Sequence, residues 1–309
     1  MLFVPHFNNM KIISIGEILW DVIGSEEHLG GAPFNFAAHA TKLGHTVSFV
    51  STVGDDERGR RALERMQSLG LTTRTVRRVR HLPTGVVSVA LASDGQPRFT
   101  IHRPAAYDEP ELTPDTMEEL TRERPDWIYY GTLAQTSPFV RRLTEMLLDC
   151  NREAGVFYDV NLRRGCYTPA LVQELATRAG ILKLNEEEAA ELAVVYSIPS
   201  ETEEFCRACA ARFHLRAVCV TRGAGGCALL AGEDFVEAQG YAVKVADAVG
   251  AGDAFSAAFL HGLSAGWPPA EIAGFANRVA ALVTSRPGGI PDWTLAEAAA
   301  MREGNAGAV

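Results

Sequence analysis

Residues 247–253 read Asp247-Ala248-Val249-Gly250-Ala251-Gly252-Asp253, and Ala254-Phe255-Ser256-Ala257-Ala258-Phe259 follows at once. Upstream, 241–246 alternates in the manner of a strand. Downstream, the run meets no Gly or Pro before Gly262, which predicts a buried helix. A small-residue loop thus carries the chain from a strand into a helix N-terminus. There the first backbone N–H groups are free and the helix dipole is positive, and the glycines let an anion approach the backbone closely. Asp253 stands at the mouth of this anion hole with a carboxylate able to accept a proton. Phosphoryl transfer to a hydroxyl requires such a cradle beside such a base. Gly-Ala-Gly-Asp alone reads equally well as a turn with a capping Asp, so the reading needs a second stretch.

That stretch is Leu29-Gly30-Gly31-Ala32-Pro33-Phe34-Asn35-Phe36, running on to Gly44. The double glycine admits a ligand to the backbone, Pro33 opens a helix and Gly44 closes it. Asn35 falls in the first turn, where its amide can both donate to and accept from a polyol's hydroxyls. Before it, 11–17 reads as a buried strand ending at Gly16, and Asp21 follows in a loop. Residues just beyond strand ends line the ligand crevice of an open parallel sheet.

The rest of the chain alternates strand and helix, which predicts an α/β fold with a doubly wound, mostly parallel sheet flanked by helices. Residues 84–102 break the rhythm. They form a hairpin with a Ser93-Asp94-Gly95 turn, predicted to be a small separate sheet over the site whose apolar face (Val86, Val89, Leu91) wants cover. Residues 295–301 predict a terminal helix. Residues 1–9 read as an extension, and 10–309 as a single domain with 84–102 as its β lid.

Composition bounds the partners. The 309 residues carry 47% hydrophobic and 22% charged side chains and a net charge of −9, so no basic stripe exists to meet nucleic acid. Arg74, Arg77, Arg78 and Arg80 form the one basic cluster and read as a solvated strand or loop. No apolar run reaches the roughly 20 residues of a membrane span, and the N-terminus lacks a signal-peptide pattern. A cytoplasmic location is expected. The six cysteines are scattered. Cys206 and Cys209 share the apolar face of a helix and, with no second ligand pair at zinc spacing, read as core rather than metal ligands.

Two other nucleotide-binding patterns fail. No Gly-x-x-x-x-Gly-Lys-Ser/Thr occurs. Gly223-Ala-Gly225-Gly226-Cys-Ala228 formally fits a dinucleotide fingerprint, but the chain continues as a hairpin with a Gly-Glu-Asp turn instead of opening a helix.

In order and separation, the 30–44 and 247–253 stretches resemble the two signatures of the PfkB (ribokinase-like) sugar kinase family. Asn185-x-x-Glu188 and Thr221-x-Gly223-x-x-Gly226 lie between them in family order. The resemblance spans residues 11–293. With Gly16-Glu17-x-x-x-Asp21 and Asp159-x-Asn161-x-Arg163, it points to the bacterial fructokinase branch. It implies an ATP- and Mg2+-dependent transfer of phosphate to a small sugar, for which fructose is the expectation. Ribose, 2-keto-3-deoxygluconate and nucleosides share the scaffold, and a non-catalytic sugar or nucleotide sensor is the non-enzyme alternative.

By resemblance Asp253 is the base, and Gly250, Ala251 and Gly252 form the anion hole. Asp21, Gly30, Gly31, Asn35 and Asn161 hold the sugar, with Arg163 and Arg103 as contacts to sugar or phosphate. Arg103 reads equally as a solvated hairpin residue. Asn185 and Glu188 organise Mg2+ and the nucleotide phosphates, Glu188 through water. Lys183 either reaches a phosphate or is an exposed strand-end lysine. Thr221, Gly223, Gly226 and Asn277 border the nucleotide. A K+ site is implied near Asp247, Val249, Ser285 and Gly288, and a homodimer through the lid. Ala248 departs from the family's usual Thr. A carboxylate at a helix N-terminus is expected to stay charged and hence be a weak base.

Overall fold

The computed structural model describes residues 9–91 and 97–301; the 93–95 turn lies outside them, as do residues 1–8 of the expected extension. The N-terminal part runs β1 (Lys11–Ile15), β2 (Leu19–Ile23), β3 (Glu26–Gly30), α1 (Ala32–Lys42), β4 (Thr46–Gly54), α2 (Glu57–Ser68), β5 (Val76–Val79), β6 (Gly85–Leu91), β7 (Pro97–His102) and α3 (Pro114–Arg122). The middle runs β8 (Trp127–Gly131), α4 (Thr132–Gln135), α5 (Pro138–Cys150), β9 (Gly155–Asp159), α6 (Pro169–Thr177), β10 (Ile181–Asn185), α7 (Glu186–Tyr196), α8 (Thr202–Phe213) and β11 (Ala217–Thr221). It closes with β12 (Cys227–Ala231), β13 (Asp234–Ala238), α9 (Ala251–Ser264), α10 (Pro269–Thr284) and α11 (Leu295–Ala300).

Nine strands form one sheet in the order β13-β12-β11-β10-β9-β8-β1-β4-β5. From β11 to β5 all neighbours are parallel, and the β11–β12 and β12–β13 pairings are antiparallel. The sequence order reverses at β1, so the carboxyl ends of β1, β8, β9, β10 and β11 share one edge around a switch point. Both sheet faces are buried, and alternate side chains feed two cores. Ile12, Tyr129 and Phe157 pack with α1, α9 and α10; Ile13, Ile128, Tyr130 and Tyr158 pack with α5 to α8. Phe36 of α1 stacks on Tyr129 with ring centroids 3.7 Å apart. Cys206 and Cys209 are buried in the second core.

The second sheet has four strands, β3-β2-β6-β7. The hairpin at 84–102 is therefore half of it. β2 pairs parallel to β6 and antiparallel to β3, which puts Asp21 on a strand opposite His28 rather than in the expected loop. β2 and β3 are five residues each, with Asp21 in the middle of one and Glu26, Glu27 and His28 in the other, so periodicity alone does not reveal them. The predicted apolar face needs one correction. Side chains alternate along β6, so Val87 faces Leu19, Ala105, Tyr107 and Leu133 in a third small core, while Val86 points the other way.

Two further expectations change near the C-terminus. Residues 241–246 alternate but belong to no strand; the Ala246 amide instead donates to the Thr284 carbonyl at the end of α10. α9 continues through Gly262 to Ser264. A Cβ at Gly262 would stand 2.9 Å from the Trp267 ring and 3.2 Å from Ile272 Cγ1, so glycine here permits close packing and does not end the helix. The basic cluster is on the surface: Arg78 and Arg80 pair with Asp55, Arg77 with Glu111, and Arg74 with Glu119 and Glu123.

Candidate active site

Gly250 takes a left-handed conformation (φ 75°) and caps α9, which places Asp253 in the first helical turn. A Cβ on Gly250 would stand 2.2 Å from the Gly289 carbonyl oxygen, so the turn closes only with glycine. Asp247 braces it from outside: its two carboxylate oxygens accept from the Val249 and Gly288 amides at 2.9 and 3.1 Å. The Ala246 and Asp247 amides donate to the Thr284 carbonyl beside Ser285, which caps α10. Asp247, Val249, Ser285 and Gly288 are thereby gathered around one loop junction.

Asp253 is 7% exposed and accepts a 2.8 Å hydrogen bond from Asn35 Nδ2. Behind it lies a buried charge network. Lys183 Nζ donates to both oxygens of Asp159 at 3.0 and 3.1 Å, Tyr129 donates to Asp159 at 2.9 Å, and Ser256 donates to it at 2.6 Å. A Cβ at Gly252 would lie 3.4 Å from Lys183 Nζ, so the ammonium sits against the backbone of the turn. Lys183 is 4% exposed, which overturns its reading as an exposed strand-end residue. Burial opposes its charge, but Asp159, Asp253 and Glu188 more than offset this and raise its pKa.

The basicity of Asp253 reverses the expectation from the helix dipole. Burial first, and then repulsion from Asp159, push its pKa to about 7, against the hydrogen bond from Asn35 and the charges of Lys183 and Arg163. At neutral pH the group is both substantially ionised and a competent proton acceptor.

Facing Asp253 are residues of β1–β3 and the loop after β9. Gly31 (φ 115°) lies so close to the Glu17 carbonyl that a Cβ would come within 2.4 Å, and a Cβ on Gly30 would stand 2.9 Å from Asp21 Oδ2. Burial raises the pKa of Asp21, with Arg163 and His28 opposing it. Burial likewise raises that of Glu17, whose Oε2 has no partner. Asn161 adopts φ 41° and has an unpartnered, buried side-chain nitrogen. The Arg163 charge is felt by Glu17, Asp21 and Asp253 together. Arg103 is not part of this group. Its guanidinium pairs with Asp108 and donates to Thr136, which fastens the end of β7 to α4.

Asn185 and Glu188 form a reciprocal capping box at the start of α7. Glu188 Oε2 accepts from the Asn185 amide at 2.9 Å and Oε1 from the Leu162 amide at 2.6 Å, so this one buried carboxylate ties α7 to the loop bearing Asn161 and Arg163. Burial raises its pKa against those bonds and Lys183. Thr221 ends β11, and Gly223 and Gly226 (φ 54° and 91°) form the tight turn after it. Asn277 is buried on α10 and donates to the Ala238 and Gln239 carbonyls, holding the end of β13. Among the described residues no group of three His, Cys, Asp or Glu side chains is placed to hold a metal.

Tyr129 and Ser256 carry no signal of their own in the sequence, and Asp159 stands there only as the first residue of the Asp159-x-Asn161-x-Arg163 motif. The available signal was Lys183 itself: a lysine inside the apolar strand Ile181-Leu-Lys-Leu184 needs a buried counter-charge.

The chain matches the pfkB family carbohydrate kinase profile over residues 11–295. It is 28% identical over 306 residues to fructokinase-1 of Zea mays, covering 91% of this chain and 93% of that one. It is 28% identical over 274 residues to the aminoimidazole riboside kinase of Salmonella typhimurium, covering 82% and 81%. An uncharacterised sugar kinase of Pyrococcus horikoshii, crystallised with ATP, superposes with a TM-score of 0.76 at 27% identity, covering 90% of this chain and 94% of that one.

Proposed function

The chain belongs to the pfkB family of carbohydrate kinases, and on that footing we propose that it transfers the γ-phosphoryl group of ATP to a hydroxyl of fructose. The observation that carries the reading is Asp253, pinned by Asn35 and raised to a pKa of about 7, over the Gly250–Gly252 turn. In this reading Asp253 accepts the proton as the acceptor hydroxyl attacks, and the 250–252 amides with Lys183 stabilise the charge of the transferring group. Asp21, Gly30, Gly31, Asn35, Asn161 and Arg163 hold the sugar. Asn185, Thr221, Gly223, Gly226 and Asn277 shape the nucleotide side. Mg2+ would ride on the nucleotide phosphates and neutralise their charge. Both Glu188 oxygens already accept backbone amides, which suits contact through water.

Fructose is favoured over an acid sugar by charge. Arg103 is committed to Asp108, so Arg163 is the arginine that offsets Glu17, Asp21 and Asp253, a setting suited to a neutral polyol. A nucleoside is the second reading, because the riboside kinase is as similar as the fructokinase. We extend the proposal to K+ at the 247–249 and 285–288 junction, to a cytoplasmic location, and to a homodimer through the four-stranded sheet, where Phe99 is 66% exposed. The test is ADP release with Mg-ATP across fructose, ribose, 2-keto-3-deoxygluconate, mannose and adenosine. Turnover with fructose above the others is expected; turnover with a different acceptor alone overturns the sugar, and none at all overturns the activity.

A further inference from the structure

α1 carries two polar side chains one turn apart that both face the turn at Gly250. Asn35 reaches Asp253; His39, fully buried, reaches the strap at 286–290. The hydrogen bonds of His39 fix its state. Trp293 Nε1 can only donate, and it lies 3.1 Å from His39 Nδ1, so Nδ1 is the acceptor. The proton is then on Nε2, which donates to the Gly289 carbonyl at 2.9 Å. That carbonyl oxygen is the atom a Cβ on Gly250 would meet at 2.2 Å. The next amide back, Gly288, is held by Asp247, so the strap is clamped from both sides at the point where it supports the anion hole.

We propose that His39 and Trp293 form a positioning relay that presses the Gly289 carbonyl against the Gly250 turn and so holds Asp253, Asn35 and the 250–252 amides in register. Neither ring touches the reacting groups; the relay acts through the strap. The groups facing His39 support a neutral imidazole throughout the working range. Burial, with a smaller opposing effect from the Gly289 bond and a further lowering by Lys42, pushes its pKa to about 4, and the charge of Lys42 is itself paired with Asp292. The role rests on the kinase reading above, since what the relay positions is the phosphoryl-transfer machinery.

The test is a set of three variants. His39→Leu removes both bonds and should lower kcat by about 10- to 100-fold, the scale of a misplacement of about 1 Å, while KM for ATP and sugar stays within about twofold. His39→Gln retains a donor at the Nε2 position and should restore kcat to within about threefold of wild type. Trp293→Phe frees His39 to change tautomer and should fall between the two. A merely structural role would lower the folded fraction and leave kcat per folded molecule unchanged, or would treat Leu and Gln alike; either outcome overturns the relay. Nitrogen NMR of the His39 ring in the resting protein is independent of any acceptor sugar. An Nε2–H tautomer that does not titrate between pH 5 and 8 is expected, and an Nδ1–H tautomer or a titrating ring refutes the relay. If wild type phosphorylates no sugar, the kinase reading fails while this spectrum still decides the relay's geometry.

Discussion

Asp253→Asn should make the protein more stable as it makes it inactive, and the gain should depend on pH. The carboxyl's pKa is raised from 3.8 to about 7 in the folded chain, by burial and then by Asp159. Below pH 3.8 both folded and unfolded chains hold the proton, and Asp253 contributes nothing. Between 3.8 and 7 the unfolded chain releases a proton the folded chain retains, so the cost to the native state grows with pH. Above 7 the cost is full, at roughly 4 kcal/mol. Asparagine is neutral at every pH, and its amide oxygen can keep accepting from Asn35. The variant should therefore be up to about 4 kcal/mol more stable at pH 8 and only about 1.5 kcal/mol more stable at pH 5. Urea unfolding of both proteins at the two pH values reads this directly. A variant no more stable than wild type at pH 8, or a gain that does not shrink on acidification, would refute the reasoning that the base is held in an unfavourable charged state.

The same pKa predicts that log kcat/KM rises with unit slope up to about pH 7 and then levels; a profile flat from pH 5 to 8 contradicts a titrating Asp253. Gly250→Ala forces a left-handed alanine and a 2.2 Å contact on Gly289. It should destabilise by about 1–3 kcal/mol and reduce kcat at least tenfold, seen by thermal melting and steady-state kinetics. Arg103→Ala leaves Asp108 without its cation. It should cost about 1–3 kcal/mol of stability yet leave the sugar KM within about twofold; a tenfold rise in KM would put Arg103 back in the sugar site.

What the sequence could show was whatever local chemistry dictates. The Gly-Ala-Gly-Asp turn into a helix, the Pro33 start of α1 and the β12–β13 hairpin follow from residues adjacent in the chain, and they stand where expected. Partnerships across the fold were not legible. Asn35 and Asp253 are 218 residues apart, and Asp159 and Lys183 find each other only because β9 and β10 are sheet neighbours. The sign of the Asp253 shift depends on such distant partners. The helix dipole is a local term that sequence supplies, whereas burial and the Asp159 charge are tertiary terms, and here they prevail. Residues 241–246 show the converse: alternation is necessary for a strand but does not provide a partner. The strand position of Asp21 is hidden for the same reason: β2 is short and gains its strand character only between β3 and β6.

The most direct test of the central claim is a paired measurement on Asp253→Asn: fructose affinity by calorimetry and kcat by ADP release with saturating Mg-ATP. The account predicts affinity within about threefold of wild type and kcat lower by a factor on the order of 10³ or more. Turnover near the wild-type rate would contradict Asp253 as the base, whatever sugar the enzyme prefers.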